Sequence, residues 1–241
     1  NPRLEKRFFY QNKSSTNLMR HSNFFKFKKK NISDVFKGWN SSCVLKLNLK
    51  KKTTKEYKDF LKIENNLKRK EKLIIVKKGK INIKLKNRSY EMTDLDALNI
   101  FSNFKDIKLT THSDSELYLI CCLNTDKISK KAIIFNFKKD IKPKNLWGGR
   151  CISRVYYGNK LNVVMFDLKK GFKFHDNGHK NEQITWLING EIMFYANSKK
   201  KLLKTDEGIS IWKNHAHGGL SNGAIGFDAF FPKRRENRYK K

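Results

Sequence analysis

Gly171-Phe172-Lys173-Phe174-His175-Asp176-Asn177-Gly178-His179-Lys180-Asn181-Glu182-Gln183 leads into the apolar run Ile184-Thr185-Trp186-Leu187-Ile188 and then into Asn189-Gly190-Glu191. This stretch sets a cluster of histidines and amides at the entry of a strand and closes the strand with a glycine. Side chains two apart on a strand project from one face, so Asn177 and His179 can share a face. A second stretch, Asp206-Glu207-Gly208-Ile209-Ser210-Ile211-Trp212-Lys213-Asn214-His215-Ala216-His217-Gly218, places further histidines after another short strand pattern. A partner strand of this kind can complete a polar site inside a closed sheet.

The rest of the chain extends the β pattern in both directions. Leu45, Leu47 and Leu49 alternate with Lys46, Asn48 and Lys50, and Ile81, Ile83 and Leu85 alternate with Asn82, Lys84 and Lys86. Period-two alternation predicts strands with one face on a core and, here, a cationic face in solvent. A helical turn is expected around Tyr57, Phe60 and Leu61. Val163-Val164-Met165-Phe166 and Ile192-Met193-Phe194-Tyr195 add strands beyond a connector holding Pro143, Trp147, Gly148 and Gly149.

The quoted stretch resembles the first motif of the cupin superfamily. There a glycine is followed at set spacings by a ligand His, a second His, a Glu or Gln and a glycine; Gly171, Asn177, His179, Gln183 and Gly190 fall on those positions. The stretch from Asp206 resembles the second motif, with His217 as its closing His. The ending Asp228-Ala229-Phe230-Phe231-Pro232-Lys233-Arg234-Arg235-Glu236 is similar to that of small cupins of pectin-sugar and bacilysin pathways. The resemblance implies a divalent transition metal held by His179, Gln183 and His217, with Asn177 or His175 completing the set. Asn177 stands where the family has His, and an amide oxygen is the weaker ligand for such a metal. Asp206 and Trp212 stand on the glycine and proline positions of the second motif.

The first half resembles a more eroded copy. Lys72-Leu73-Ile74-Ile75-Val76-Lys77-Lys78-Gly79 matches the strand and glycine of motif one, and Leu95-Asp96-Ala97-Leu98 the turn of motif two, with no histidines at ligand spacing. The expected fold is therefore all-β: two cupin-type (double-stranded β-helix or jelly-roll) barrels with basic terminal extensions. The boundaries are a basic N-terminal arm over 1–33, a degenerate barrel over 34–140, a barrel with a partial metal motif over 141–231, and a basic tail over 232–241.

Charge points elsewhere. Lys and Arg total 54 against 22 Asp and Glu, a formal net of +32 on 241 residues. Such an excess favours a polyanionic partner. The first thirty residues carry nine cations and one carboxylate, Glu5, and interleave them with aromatics. Acid-poor sequence of this kind is similar to an organellar import signal or to a basic arm left by its removal. The leading expectation is an RNA-binding structural protein, a subunit of an organellar ribosome in the mitochondrion or another organelle, contacting ribosomal RNA and neighbouring ribosomal proteins. Arg7, Lys26, Lys28, Lys29, Lys30, Arg234, Arg235, Arg238, Lys240 and Lys241 are its expected RNA contacts, with no catalytic residue, no cofactor and no small-molecule ligand. The alternative is a metal-dependent cupin enzyme, an isomerase or dioxygenase, acting on a small acidic substrate through His175, Asn177, His179, Gln183 and His217. Cys43, Cys121, Cys122 and Cys151 lack metal-knuckle spacing and read as buried reduced thiols. No apolar run reaches the roughly 18 residues of a membrane span, so no membrane partner is expected. Phosphate-loop and nucleophile-elbow motifs do not occur.

Overall fold

The computed structural model describes residues 22–27, 35–37, 42–56, 59, 70–101, 107–123, 132–196 and 198–234. The expected helical turn at Tyr57, Phe60 and Leu61 lies outside them. Among the described residues the first part of the chain forms β1 (Asn23–Lys26), β2 (Val35–Lys37), β3 (Cys43–Leu49), β4 (Thr54–Glu56), β5 (Lys70–Lys78), β6 (Ile81–Leu85), β7 (Arg88–Met92), β8 (Asp96–Ile100), β9 (Ile107–Thr111), β10 (Ser115–Leu123) and β11 (Ala132–Asn136). The second part forms β12 (Lys144–Leu146), β13 (Cys151–Tyr157), β14 (Asn162–Leu168), β15 (Lys173–Asp176), β16 (Glu182–Ala196), β17 (Lys199–Leu203), β18 (Glu207–Ile211) and β19 (His217–Phe231).

All strand pairs are antiparallel. A six-stranded sheet, β11-β8-β5-β10-β3-β2, and a four-stranded sheet, β4-β9-β6-β7, make the first half. Between them lies an apolar core that includes Leu45, Leu47, Ile74, Val76, Ile81, Ile83 and Leu117, as alternation predicts. The second half is a nine-stranded sheet, β1-β18-β16-β19-β14-β13-β12, with β15 on β19 and β17 on β16. It encloses Phe166, Phe172, Leu187, Ile192, Phe194 and Ile209. The fold class is the all-β one expected.

The halves share a third core. Val44, Leu73, Ile75, Tyr118 and Ile120 of the first sheet pack with Val163, Met165, Ile184, Trp186, Phe227 and Ala229 of the second. This contact explains why Leu73 to Val76 is apolar throughout: even and odd positions of β5 face different cores. It also corrects one expectation from alternation. Lys46 does not face solvent; its side chain is 4% exposed and pairs with Glu116 and, across the halves, with Asp206, each at 2.8 Å. Lys77 joins the same two carboxylates. By contrast Lys84 on β6 is exposed as expected, because among the described residues no further layer covers that face of the strand.

Asp206 shows how the second-motif turn tolerates the loss of its glycine. Its φ is 66°, in the left-handed region, where Asp is among the better-tolerated side chains. Its backbone N–H donates to Leu187 O at 3.0 Å. Leu95 repeats the geometry in the first half, with φ 66° and an N–H bond to Val76 O at 2.7 Å. Gly79 and Gly190, at φ 105° and 81°, repeat the preceding turn, and one sequence offset separates all three pairs. A Cβ on Gly190 would stand 1.9 Å from Gly223 O, so this position needs glycine.

The arm boundary moves. Asn23–Lys26, expected within the basic arm, pairs with β18 as an edge strand, and Phe24 and Phe25 pack on the cores of the second half. The four cysteines are buried, and among the described residues none is joined in a disulfide. No helix among the described residues is long and apolar enough to cross a membrane.

Candidate functional site

β15 alternates Lys173 and His175 outward with Phe174 and Asp176 inward, continuing the inward register of the buried Phe172. Beyond Asp176 the chain turns at Gly178, φ 106°, whose N–H donates to Asp176 Oδ1 at 2.9 Å. A Cβ there would meet Asn214 backbone at 2.7 Å. The turn brings His179 inside, where its carbonyl accepts Asn214 N–H at 2.7 Å and its ring lies edge-on to His217, centroids 5.4 Å apart. Asp176, His179 and His217 each offer a donor atom, and these atoms lie within 4.8 Å of one another.

The hydrogen bonds fix the ring tautomers. Gln183 Nε2 donates to Thr185 Oγ1 at 2.8 Å and Asp228 Oδ1 at 3.0 Å, which leaves Gln183 Oε1 as an acceptor. His179 Nε2–H therefore donates to that oxygen at 3.0 Å, and Nδ1 carries the lone pair. Among the described residues that Nδ1 is buried without a hydrogen-bond partner. His217 Nδ1–H donates to His215 O at 2.9 Å, so in the neutral ring the lone pair is on Nε2. Burial, reinforced by the Arg234 guanidinium and opposed by the Gln183 bond, brings His179 down to about 4. Burial pushes the Asp176 carboxyl up, but Arg234, the Gly178 N–H and His217 outweigh it and hold it well below the usual carboxylate range. At neutral pH His179 is a neutral imidazole and Asp176 a carboxylate.

Asp176, His217, Gln183 and Arg234 line a cavity of about 90 Å³, which His179 adjoins through its bond to Gln183. Its apolar wall includes Val164, Phe166, Phe172, Phe174 and Phe194, and Trp147 stands at the rim, 52% exposed and 5.3 Å from the Phe172 ring. Arg234 lies at 5.3 Å over the Phe230 ring.

No family model matches the sequence, and no curated protein matches it. Solved structures do match. Ylba of E. coli superposes with a TM-score of 0.66 at 11% identity, covering 92% of this chain and 99% of that one. A cupin 2 conserved barrel domain protein of Leptotrichia buccalis gives 0.56 at 13% identity, covering 95% and 94%. The oxalate decarboxylase of Lactobacillus farciminis, in a formate complex, gives 0.64 at 10% identity, covering 87% and 86%. This chain has the cupin fold.

The geometry arranges the expected ligand set differently. His175 and Asn177 do not enter the cluster: both are exposed and bond to each other at 2.8 Å, with His175 also on Tyr195 Oη at 3.0 Å. The physical reason is strand parity, since Phe172, Phe174 and Asp176 take the inward face. Gln183 is beside the cluster but holds His179 in its tautomer. His179 and His217 are brought together as expected. Asp176, Asp228 and the inward side of Arg234 went unread in the sequence; the apolar parity of Phe172 and Phe174 was the signal for Asp176. Of the expected RNA contacts, Arg234 is 7% exposed and ion-paired with Asp176 at 2.7 Å, so it faces the cavity rather than a phosphate backbone. Lys26 is exposed, 3.6 Å from Glu207. Arg7, Lys28, Lys29, Lys30, Arg235, Arg238, Lys240 and Lys241 lie outside the described residues.

The cluster fits a divalent transition metal. Two imidazoles and one carboxylate are the facial set that leaves positions open for substrate. Donors bonded at about 2.1 Å in a facial set are mutually cis and stand about 3.0 Å apart, so these atoms, within 4.8 Å of one another, would have to draw together by up to about 1.8 Å to hold an ion. The partnerless His179 Nδ1 supplies a lone pair ready for use.

The depressed His179 pKa sets a pH dependence. Its folded value lies below its ordinary 6.5, so the unfolded chain takes up the proton first. The associated stability is present above pH 6.5 and is lost as pH falls toward 4. Urea unfolding of wild type and His179→Asn across that window checks this. The wild type should lose stability relative to the variant on acidification, and parallel curves would contradict the assignment.

Proposed function

We propose that the second half is a metal-assisted site for a small acidic substrate and that the first half serves as its scaffold. The observation that carries this is the convergence of donor atoms of Asp176, His179 and His217 within 4.8 Å of one another, beside a cavity lined by Asp176, His217 and Arg234. Asp176, His179 and His217 would hold the ion, and Gln183 keeps His179 in the tautomer that presents Nδ1. A bound divalent ion supplies Lewis-acid polarisation of a carbonyl or enolate oxygen. Arg234 contributes positive charge for an anionic group, and Asp228, accepting from Thr185 Oγ1 at 2.6 Å and from Gln183, holds the Gln183 amide that orients His179. The phenylalanine wall restricts the substrate to a small body and excludes bulk water. Polarisation of this kind serves the isomerase reading directly and the dioxygenase reading through substrate binding. The formate bound by the Lactobacillus decarboxylase is a ligand of the same chemical size.

Thermal unfolding with Mn²⁺, Fe²⁺, Ni²⁺ or Zn²⁺ at about 100 times the dissociation constant should show about 2.7 kcal/mol of added stability. At least one of these ions is expected to raise the midpoint by several degrees, and EDTA to reverse it. No shift with any ion would sink the proposal.

A second reading rests on the charge of +32: the chain binds RNA in an organellar ribosome. Log affinity for a structured RNA should then fall linearly with log salt, by about 0.9 per phosphate neutralised. Because Asn23–Lys26 belongs to a sheet, the truncation that probes the arm ends at residue 21. That segment carries five cations, and its removal should lower the slope by several units. A flat salt response would contradict RNA binding.

A further inference from the structure

The carboxylate that the metal cluster needs is already in use. Asp176 Oδ2 accepts Arg234 Nη2–H at 2.7 Å, and both side chains are largely buried, 15% and 8% exposed. Asp176 Oδ1 accepts the Gly178 N–H. Both carboxylate oxygens are thus engaged, one by the guanidinium and one by a backbone N–H, so an ion on either would compete with a group already in place, and Phe230 lies beneath the guanidinium. A dication on Asp176 withdraws the negative charge that holds Arg234 and repels it directly.

Charge balance gives the consequence. Without metal, Asp176 and Arg234 neutralise each other. With metal, Asp176 is engaged by the ion, and the cavity gains a positive excess beside an arginine that has lost most of its partner. A buried cation in that condition is costly unless an anion replaces the lost one. The guanidinium fork matches a carboxylate in two parallel hydrogen bonds, which makes a carboxylate the fitting anion.

Resting on the metal reading above, we infer that Arg234 is handed from Asp176 to the carboxylate of a small ligand when metal binds. Asp176 is thus both ligand and latch. The site takes metal first and carboxylate second, and a carboxylate in turn raises metal affinity by the same factor, as linkage requires. The walls admit a compact carboxylate such as acetate or a short oxo acid.

Calorimetric titration of acetate and of Zn²⁺ into the full chain tests this, after urea unfolding has shown each variant to be folded. Wild type should bind acetate about ten-fold or more tightly with zinc than without it, a loss comparable to one charged hydrogen bond. Asp176→Asn removes the latch: without metal it should bind acetate about ten-fold more tightly than metal-free wild type, while its zinc affinity falls by at least as much. Adding Arg234→Gln to Asp176→Asn should abolish that gain; Arg234→Lys, which keeps the charge and loses the fork, replaces it if the first double variant does not fold. Metal-free Asp176→Asn binding acetate no better than wild type overturns the handover while leaving zinc binding by wild type intact. Failure of wild type to take up zinc overturns the metal reading and the coupling with it.

Discussion

Trp186→Ala should destabilise the protein by about 3–5 kcal/mol, in the range for a large aromatic removed from a core. Trp186 is fully buried and stands between the halves, 5.4 Å from both the Tyr118 and Phe227 rings. Its neighbours come from β5 and β10 of the first half and β14 and β19 of the second, so the cavity left behind weakens both sides of the shared core. The ion cluster of Lys46, Lys77, Glu116 and Asp206 crosses the same interface and cannot fill an apolar hole. Urea unfolding followed by fluorescence and circular dichroism should show one cooperative transition moved to lower denaturant. Trp147→Ala, at the exposed rim, should move it by no more than about 0.5 kcal/mol. A Trp186→Ala variant that unfolds in two steps, with the first half unchanged, would contradict a shared core.

His217→Ala should lower metal affinity by about 100-fold or more, since loss of an outer-shell partner alone costs 10–100-fold. His217 is 3% exposed, lies parallel to Phe194 with centroids 6.2 Å apart, and is oriented by its bond to His215 O. His175→Ala is the informative contrast. Its ring belongs to an exposed pair with Asn177 and Tyr195, so metal affinity should be unchanged. Equal losses in the two variants would restore the ligand set that the motif spacing implied and remove Asp176 from it.

Much of the fold was legible in the alternation. Leu45, Leu47 and Leu49, and Ile81, Ile83 and Leu85, face the core their parity assigns. Lys46 was misread because alternation records which residues avoid water on one face, not whether another layer covers the other face. The glycine turn at Gly190 and the histidines His179 and His217 were legible through the resemblance of their stretches to the two cupin motifs. Asp176 was not, since counting from Gly171 led to Asn177, one position out of register with the inward side chains. A one-residue shift on a strand reverses the face. Arg234 read as part of a basic tail, whereas its side chain turns in to meet Asp176; a long-range ion pair leaves no periodic mark in sequence.

The central claim is that Asp176, His179 and His217 hold one ion in the second half. Metal content of the full chain after loading with a divalent transition metal and exhaustive dialysis tests it most directly. One ion per chain is predicted for wild type and for His175→Ala, and less than about a tenth of that for the folded His179→Ala, His217→Ala double variant. A wild type that retains no metal, or a double variant that retains as much as wild type, would contradict the account.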